Sequence, residues 1–143
     1  MKESKNFRLL LDTEPLVKLF SEEEGWETVQ KIVRTIENGE VDGAISVITL
    51  TEVYSKYLHE GRIDIAKARV EELKYAVYLE KIEMDDKIAV KAGEFKGKYS
   101  LLLADSIISA TAFYTGRTIV SGDTDFKKVS EVQVKNEEKC LKE

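Results

Sequence analysis

Ile119-Val120-Ser121-Gly122-Asp123-Thr124-Asp125-Phe126 decides how the chain is read. A β-branched pair, suited to a pleated strand, runs into a glycine and releases two aspartates, one residue apart, ahead of an aromatic. Asp and Gly are ordinary turn formers. An Asp in that place also suits the N-cap of a short helix. A third reading makes the acids one wall of a metal site, which requires carboxylates from elsewhere in the chain to converge on them.

Outward from this stretch, apolar periodicity marks the other elements. Residues 7–11 are an apolar run predicted as a buried strand, ending in Asp12-Thr13-Glu14-Pro15. Thr13 is the predicted N-cap of the next helix, with Pro15 in its first turn. Residues 22–37 place Trp26, Val29, Ile32, Val33 and Ile36 at helical spacing, with a stop at Asn38-Gly39. Residues 41–47 read as a second strand. Leu50, Val53, Tyr54, Tyr57 and Leu58 make a helical stripe ending at Gly61, and Ile65, Ala66, Val70, Leu73, Ala76 and Val77 make another. Residues 79–82 suit a short edge strand and 85–95 a helix with acids at its start. Residues 101–114 are apolar around most of their circumference, as an interior helix is. Residues 118–120 and 132–134 are the last predicted strands. Strands alternating with helical crossovers imply one α/β domain over residues 1–143 with a mostly parallel sheet.

The bulk composition narrows the function classes. The chain has 143 residues, the size of one domain with a real core. No apolar run approaches a membrane span. The opening Met1-Lys2-Glu3-Ser4-Lys5-Asn6-Phe7-Arg8 is polar, and Leu9-Leu10-Leu11 is too short for a signal segment, so a cytoplasmic protein is expected. Glu and Lys dominate over Gln and Asn, a pattern shared with hyperthermophile proteins. The single Cys140 excludes an internal disulfide and lies in a charged tail. One His and one Cys cannot build the usual zinc site. His59 ends a helix before Gly61, where capping is the simplest role. The net charge of −5 excludes a general nucleic-acid coat. Nucleic-acid chemistry would need a local basic rim, or cations that invert the field of an acidic site.

Ligands of parallel sheets bind beyond the carboxyl ends of the strands. Asp12 follows the first predicted strand, Glu52 opens the helix after the second, and Asp123 and Asp125 follow the third. Asp105 lies in the first turn of the interior helix that feeds that third strand. Each acid has an ordinary excuse: an Asx-turn for Asp12, dipole complementation for Asp105, and a solvated helix face for Glu52. Asp105 is the most telling. Its setting is Leu-Leu-Leu-Ala-Asp-Ser-Ile-Ile-Ser, no Lys or Arg occurs between Lys98 and Arg117, and Ser109 shares its narrow polar face. A charge in so apolar a segment needs a partner or a pKa shift. Carboxylates that face one another repel, and a hard divalent cation relieves the penalty. Without histidine, Mg²⁺ or Mn²⁺ suits them better than zinc. Phosphodiester hydrolysis is the implied chemistry; a structural Ca²⁺ site is the other use of such a cluster.

These residues resemble the PIN-domain family, in particular the VapC-like toxin ribonucleases, along nearly the whole chain. Leu10-Leu11-Asp12-Thr13-Glu14-Pro15-Leu16-Val17 looks like the first-strand aspartate motif, and Ser46-Val47-Ile48-Thr49-Leu50-Thr51-Glu52-Val53-Tyr54 like the glutamate segment. Leu103-Ala104-Asp105-Ser106-Ile107-Ile108-Ser109 is similar to the aspartate helix, and Val120-Ser121-Gly122-Asp123-Thr124-Asp125-Phe126 to the final hydroxyl-x-Asp-x-Asp-Phe motif. The resemblance implies a three-layer α/β/α sandwich and a Mg²⁺- or Mn²⁺-dependent endoribonuclease acting on RNA. It also implies frequent homodimerisation and an antitoxin protein as partner. Carried over by position, Asp12, Glu52, Asp105 and Asp123 are the catalytic acids. Asp12, Asp105, Asp123 and Asp125 surround the metal, with Thr13 and Ser121 as supporting hydroxyls. Ser121 stands where the family often has Thr. Asp125 has two readings, a metal contact through water or a partner for a basic side chain that pins the loop.

Lys96, Lys98 and Lys127, together with Lys128 and Lys56, are candidates for RNA phosphate contact, against the plain reading of solvated helix-end lysines. Tyr54, Tyr57, Tyr75, Tyr78 and Trp26 are expected in the core or an interface. Two rival functions stand beside the nuclease. One is a non-catalytic PIN-like module that binds RNA or protein. The other is a phosphatase of the Asp-x-Asp type, which Asp12-Thr13-Glu14 fails to match.

Overall fold

The computed structural model describes residues 7–142; the polar segment 1–6, part of the opening read above as leaderless, lies outside the described residues. Strand β1 (Arg8–Leu11) leads into α1 (Thr13–Phe20) and α2 (Trp26–Glu37), then β2 (Asp42–Ser46) into α3 (Ile48–His59) and α4 (Ile63–Tyr75). Strand β3 (Leu79–Ile82) precedes α5 (Asp86–Tyr99) and α6 (Leu103–Thr115). Strand β4 (Thr118–Val120), a 3-10 turn (Thr124–Lys128), β5 (Val134–Lys135) and α7 (Glu137–Lys142) complete the chain.

The strands form a five-stranded sheet in the order β3-β2-β1-β4-β5, and every pairing is parallel. Period-two alternation divides the core between its faces. Leu9, Leu11, Ile45 and Val120 pack with Leu16, Ile32, Ile36, Val53, Tyr57 and Leu73 from α1 to α4. Leu10, Ala44 and Ile119 pack with Ile108, Ala112 and Phe126 on the other face. Helix α5 joins that second layer through Ile88, Ala92 and Phe95, which meet Ile107 and Ala110. The result is the expected three-layer α/β/α sandwich. At Gly43 the layers come so close that an added Cβ would lie 2.5 Å from the Ile36 side chain. Any larger residue there would force the Ile36 side chain to move.

The structure corrects several boundaries. Thr13 is the first residue of α1, and Asp12 occupies the N-cap position without a side-chain capping bond. Helix α2 begins at Trp26, because residues 22–25 form a turn that includes Glu22 and Gly25 at positive φ. The α4 stripe stops at Tyr75, so Val77 and Tyr75 are exposed rather than packed. Helix α6 is buried from Asp105 to Ala112, yet Leu103 and Phe113 near its ends are exposed. The last strand is shifted to Val134–Lys135, and the charged tail forms α7. Cys140 is half-buried against the core beside Leu141, and burial pushes its thiol above the ordinary range. The cap expected at residue 85 is present: the Asp85 carboxylate accepts the Ile88 N–H at 2.9 Å. Among the described residues no helix is long and apolar enough to cross a membrane.

Candidate metal centre

The order β3-β2-β1-β4-β5 reverses direction between β1 and β4, and the carboxyl ends of such a pair open a crevice. Asp12 leaves β1 on one side of it, and Ser121 and Asp123 leave β4 on the other. The Asp12 N–H continues the ladder to the Val120 carbonyl at 3.1 Å. Helix α6 ends just before β4 begins, so its N-terminal turn, with Asp105, returns to the same sheet edge. Phe126 is fully buried beneath the sheet with Leu10 and Ile119, and it anchors the 3-10 turn that carries Asp125.

Asp105, Asp123 and Asp125 each offer a carboxylate oxygen within 4.8 Å of the others. Asp105 is buried, and its Oδ2 has no hydrogen-bond partner. Burial raises its pKa to about 6, with further upward pressure from Asp123, Glu52 and Asp125 and relief from Lys128. Ser109, one turn along α6, also has a buried hydroxyl without a partner. An orphaned carboxylate oxygen facing two more carboxylates is an unfavourable arrangement for the bare protein. It fits a hard cation that prefers oxygen ligands.

Asp12 flanks this trio. Its Oδ2 accepts the Ser121 hydroxyl at 2.7 Å, and the Asp123 N–H in turn donates to Ser121 Oγ at 3.0 Å. Burial pushes Asp12 up to about 7; the Ser121 hydroxyl and the Thr13 N–H counter it, while Asp105 and Glu52 add to it. Glu52, half-buried on α3, is held by the Thr13 hydroxyl at 2.5 Å. That hydroxyl is also 3.3 Å from Thr49 Oγ1. Thr13 therefore bonds to Glu52 and does not act as a cap. Asp123 caps the 3-10 turn, its Oδ1 accepting the Asp125 N–H at 2.9 Å, and it also belongs to the acid trio. Asp125 belongs to the trio, and it pairs with Lys128 at 3.4 Å, as the second of its two readings expects.

The predicted basic rim is largely engaged in local pairs. Lys96 donates to the Leu101 carbonyl at 3.2 Å, Lys98 pairs with Glu131 at 3.5 Å, and Lys56 with Glu60 at 2.6 Å. Lys127 is exposed, two residues beyond Asp125. Glu14 was not singled out from the sequence. Its Oε1 accepts the Gly122 N–H at 2.9 Å, and its Oε2 pairs with Lys18 at 3.2 Å. Lys18 also reaches the buried Glu137 at 3.0 Å. Burial would lower the Lys18 ammonium, but hydrogen bonds to Glu137 and Glu14 hold it above its ordinary range. The i, i+4 spacing of Glu14 and Lys18 was visible; the partners at residues 122 and 137 were not.

Comparison with known proteins agrees with this geometry. The PIN domain model matches residues 9–132. No curated protein matches the chain. Among solved structures, VapBC2 from Rickettsia felis, bound to a DNA fragment from its promoter, is similar with a TM-score of 0.74 at 17% identity, over 91% of this chain and 98% of that one. A toxin–antitoxin complex from Klebsiella pneumoniae has a TM-score of 0.63 at 26% identity, over 87% and 94%. PAE2754 from Pyrobaculum aerophilum has a TM-score of 0.66 at 16% identity, over 96% and 95%. With its switch-point crevice, its acids in order along the chain and a family match over most of its length, the chain belongs to the PIN-domain family.

Proposed function

We propose that the protein is a Mg²⁺- or Mn²⁺-dependent endoribonuclease, the toxin of a type II toxin–antitoxin pair. The observation that carries the reading is the convergence of Asp105, Asp123 and Asp125 within 4.8 Å around the partnerless Oδ2 of Asp105. Asp12, Asp105, Asp123 and Asp125 would hold the ion. When bound, a hard divalent cation supplies charge neutralisation for the scissile phosphate and activation of water.

The remaining roles belong to the chain. Ser121 orients Asp12 and ties it to the backbone of Asp123. Thr13 holds Glu52, whose charge is felt by both Asp12 and Asp105; in this reading Glu52 would act as the general base toward water. Lys127 and Lys128 offer positive charge at the rim of an otherwise acidic crevice. The choice of RNA is supported by the family resemblance. An antitoxin partner is supported by the toxin–antitoxin complexes among the similar structures. A homodimer acting in the cytoplasm completes the reading.

Asp105→Asn tests it, with single-stranded RNA and matched DNA incubated at fixed Mn²⁺. RNA cleavage by the wild type and its loss in a folded Asp105→Asn variant are expected. Cleavage retained by the variant would sink the mechanism. RNA binding that is equal with and without chelator, with no cleavage, would instead make the protein a binding module.

A further inference from the structure

Three consecutive residues after β4 are tied down by three different bonds. Ser121 Oγ donates to Asp12, the Gly122 N–H donates to Glu14, and Asp123 Oδ1 accepts the Asp125 N–H. Two of the three anchors, Asp12 and Glu14, come from the start of α1, so this turn is held from across the crevice. Unlike Asp12 and Asp125, Glu14 is not one of the acids assigned to the metal. It divides its oxygens, one to Gly122 and the other to Lys18. Lys18 leads on to Glu137, whose side chain is 9% exposed at the start of α7. An added Cβ at Gly122 would lie 3.3 Å from Glu14 Oε1, so the carboxylate would have to shift by a few tenths of an ångström.

We infer that Glu14 is a positioning residue for the acid cluster. Through Lys18 and Glu137 it couples the loop bearing Ser121 and Asp123 to the seating of the C-terminal helix. The inference rests on the metal-centre reading above and adds to it a support that touches no metal. Glu14 holds the backbone at Gly122, next to Asp123, and outer contacts that fix where ligand oxygens lie tune metal affinity.

Mn²⁺ titration of the full chain, with free Mn²⁺ followed by EPR, tests the inference alongside the Mn²⁺ dependence of RNA cleavage. Glu14→Ala is expected to weaken Mn²⁺ binding about tenfold. The Mn²⁺ concentration for half-maximal cleavage should rise by a similar factor, while the rate at saturating Mn²⁺ stays close to wild type. Glu14→Gln keeps an oxygen for the Gly122 N–H and is expected to recover most of the affinity. Lys18→Met separates positioning from bare charge. Loss of a nearby cation would by itself strengthen Mn²⁺ binding, whereas loss of the tether weakens it. Wild-type affinity in Glu14→Ala, a Glu14→Gln variant as weak as the alanine, or tighter binding in Lys18→Met each overturns the proposal. A wild-type protein that takes up no Mn²⁺, or one whose uptake survives Asp123→Asn, overturns the metal-centre reading and this proposal with it.

Discussion

The Ser121 hydroxyl donates to Asp12 Oδ2 across 2.7 Å, joining the carboxyl ends of two strands that are neighbours in space but 109 residues apart in sequence. The bond stabilises the ionised form of a carboxyl whose pKa burial nevertheless pushes up to about 7.

Ser121→Ala is therefore expected to raise the Asp12 pKa further. A hydrogen bond to a charged group contributes about 1.5–3 kcal/mol, and one pKa unit corresponds to about 1.4 kcal/mol. An upward shift on the order of one unit should follow. A carboxylate-detected NMR titration of the metal-free protein measures it; an unchanged or lowered pKa would contradict the assignment.

The pH dependence of stability has a definite sign. Asp12 and Asp105 are both raised from an ordinary 3.8, to about 7 and about 6. Between those limits the folded protein binds more protons than the unfolded chain, so metal-free stability falls as pH rises. The favourable contribution is complete below about pH 4 and gone above about pH 7. Each proton retained only by the folded state steepens the fall by about 1.4 kcal/mol per pH unit. Added Mn²⁺ should restore stability most strongly at neutral pH, by about 2.7 kcal/mol at a hundredfold excess over Kd. Thermal melts at pH 5 and pH 7.5, with and without Mn²⁺, check both expectations.

Asp105→Asn should stabilise the metal-free protein while it removes activity. The substitution replaces a buried carboxylate that lacks a partner at Oδ2 and is pressed by Asp123, Glu52 and Asp125. A gain of about 1 kcal/mol in urea denaturation at pH 7.5 is expected, of the size common where a strained functional group is relieved. A large loss of stability would mean that Asp105 serves the fold.

Arg117 gives the opposite case, a buried charge that serves the fold alone. Its guanidinium donates to the Leu9 carbonyl at 3.1 Å, to Asp42 Oδ1 at 2.9 Å and to Glu80 Oε1 at 3.1 Å, joining β1, β2 and β3 at the edge away from the crevice. Asp42 and Glu80 are half exposed and regain water when it is lost, so the ion pairs are screened. The buried Leu9 carbonyl loses a donor. Arg117→Met should cost about 1–3 kcal/mol without changing Mn²⁺ affinity, read by denaturation and metal titration on the same sample.

Much of this architecture was legible from local pattern. Leu9, Leu10 and Leu11 alternate between two faces, and Phe126 follows the acids because an aromatic there can plug the sheet from below. The misplaced boundaries share one cause. Residues 22–25 carry helix-compatible glutamates, but the backbone turns at Glu22 and Gly25 so that α2 can cross onto the sheet. Val77 continues a helical stripe in sequence after the helix itself has ended at Tyr75. Propensity is local, and tertiary packing overrides it at the ends of elements.

By itself the sequence determined the α/β class, the order of the elements and the placement of Asp12, Asp105, Asp123 and Asp125 at element ends, because alternation, helical spacing and turn chemistry act over a few residues; Glu52, read as opening its helix, lies a full turn inside α3, which begins at Ile48. Only the tertiary structure decided that Asp105, Asp123 and Asp125 form the tight group while Asp12 stands beside them on Ser121. It alone brought Glu14 to Gly122 and Arg117 across three strands. Those contacts depend on β4 pairing with β1, and no local rule specifies which distant strand fills that place or where its side chains then point.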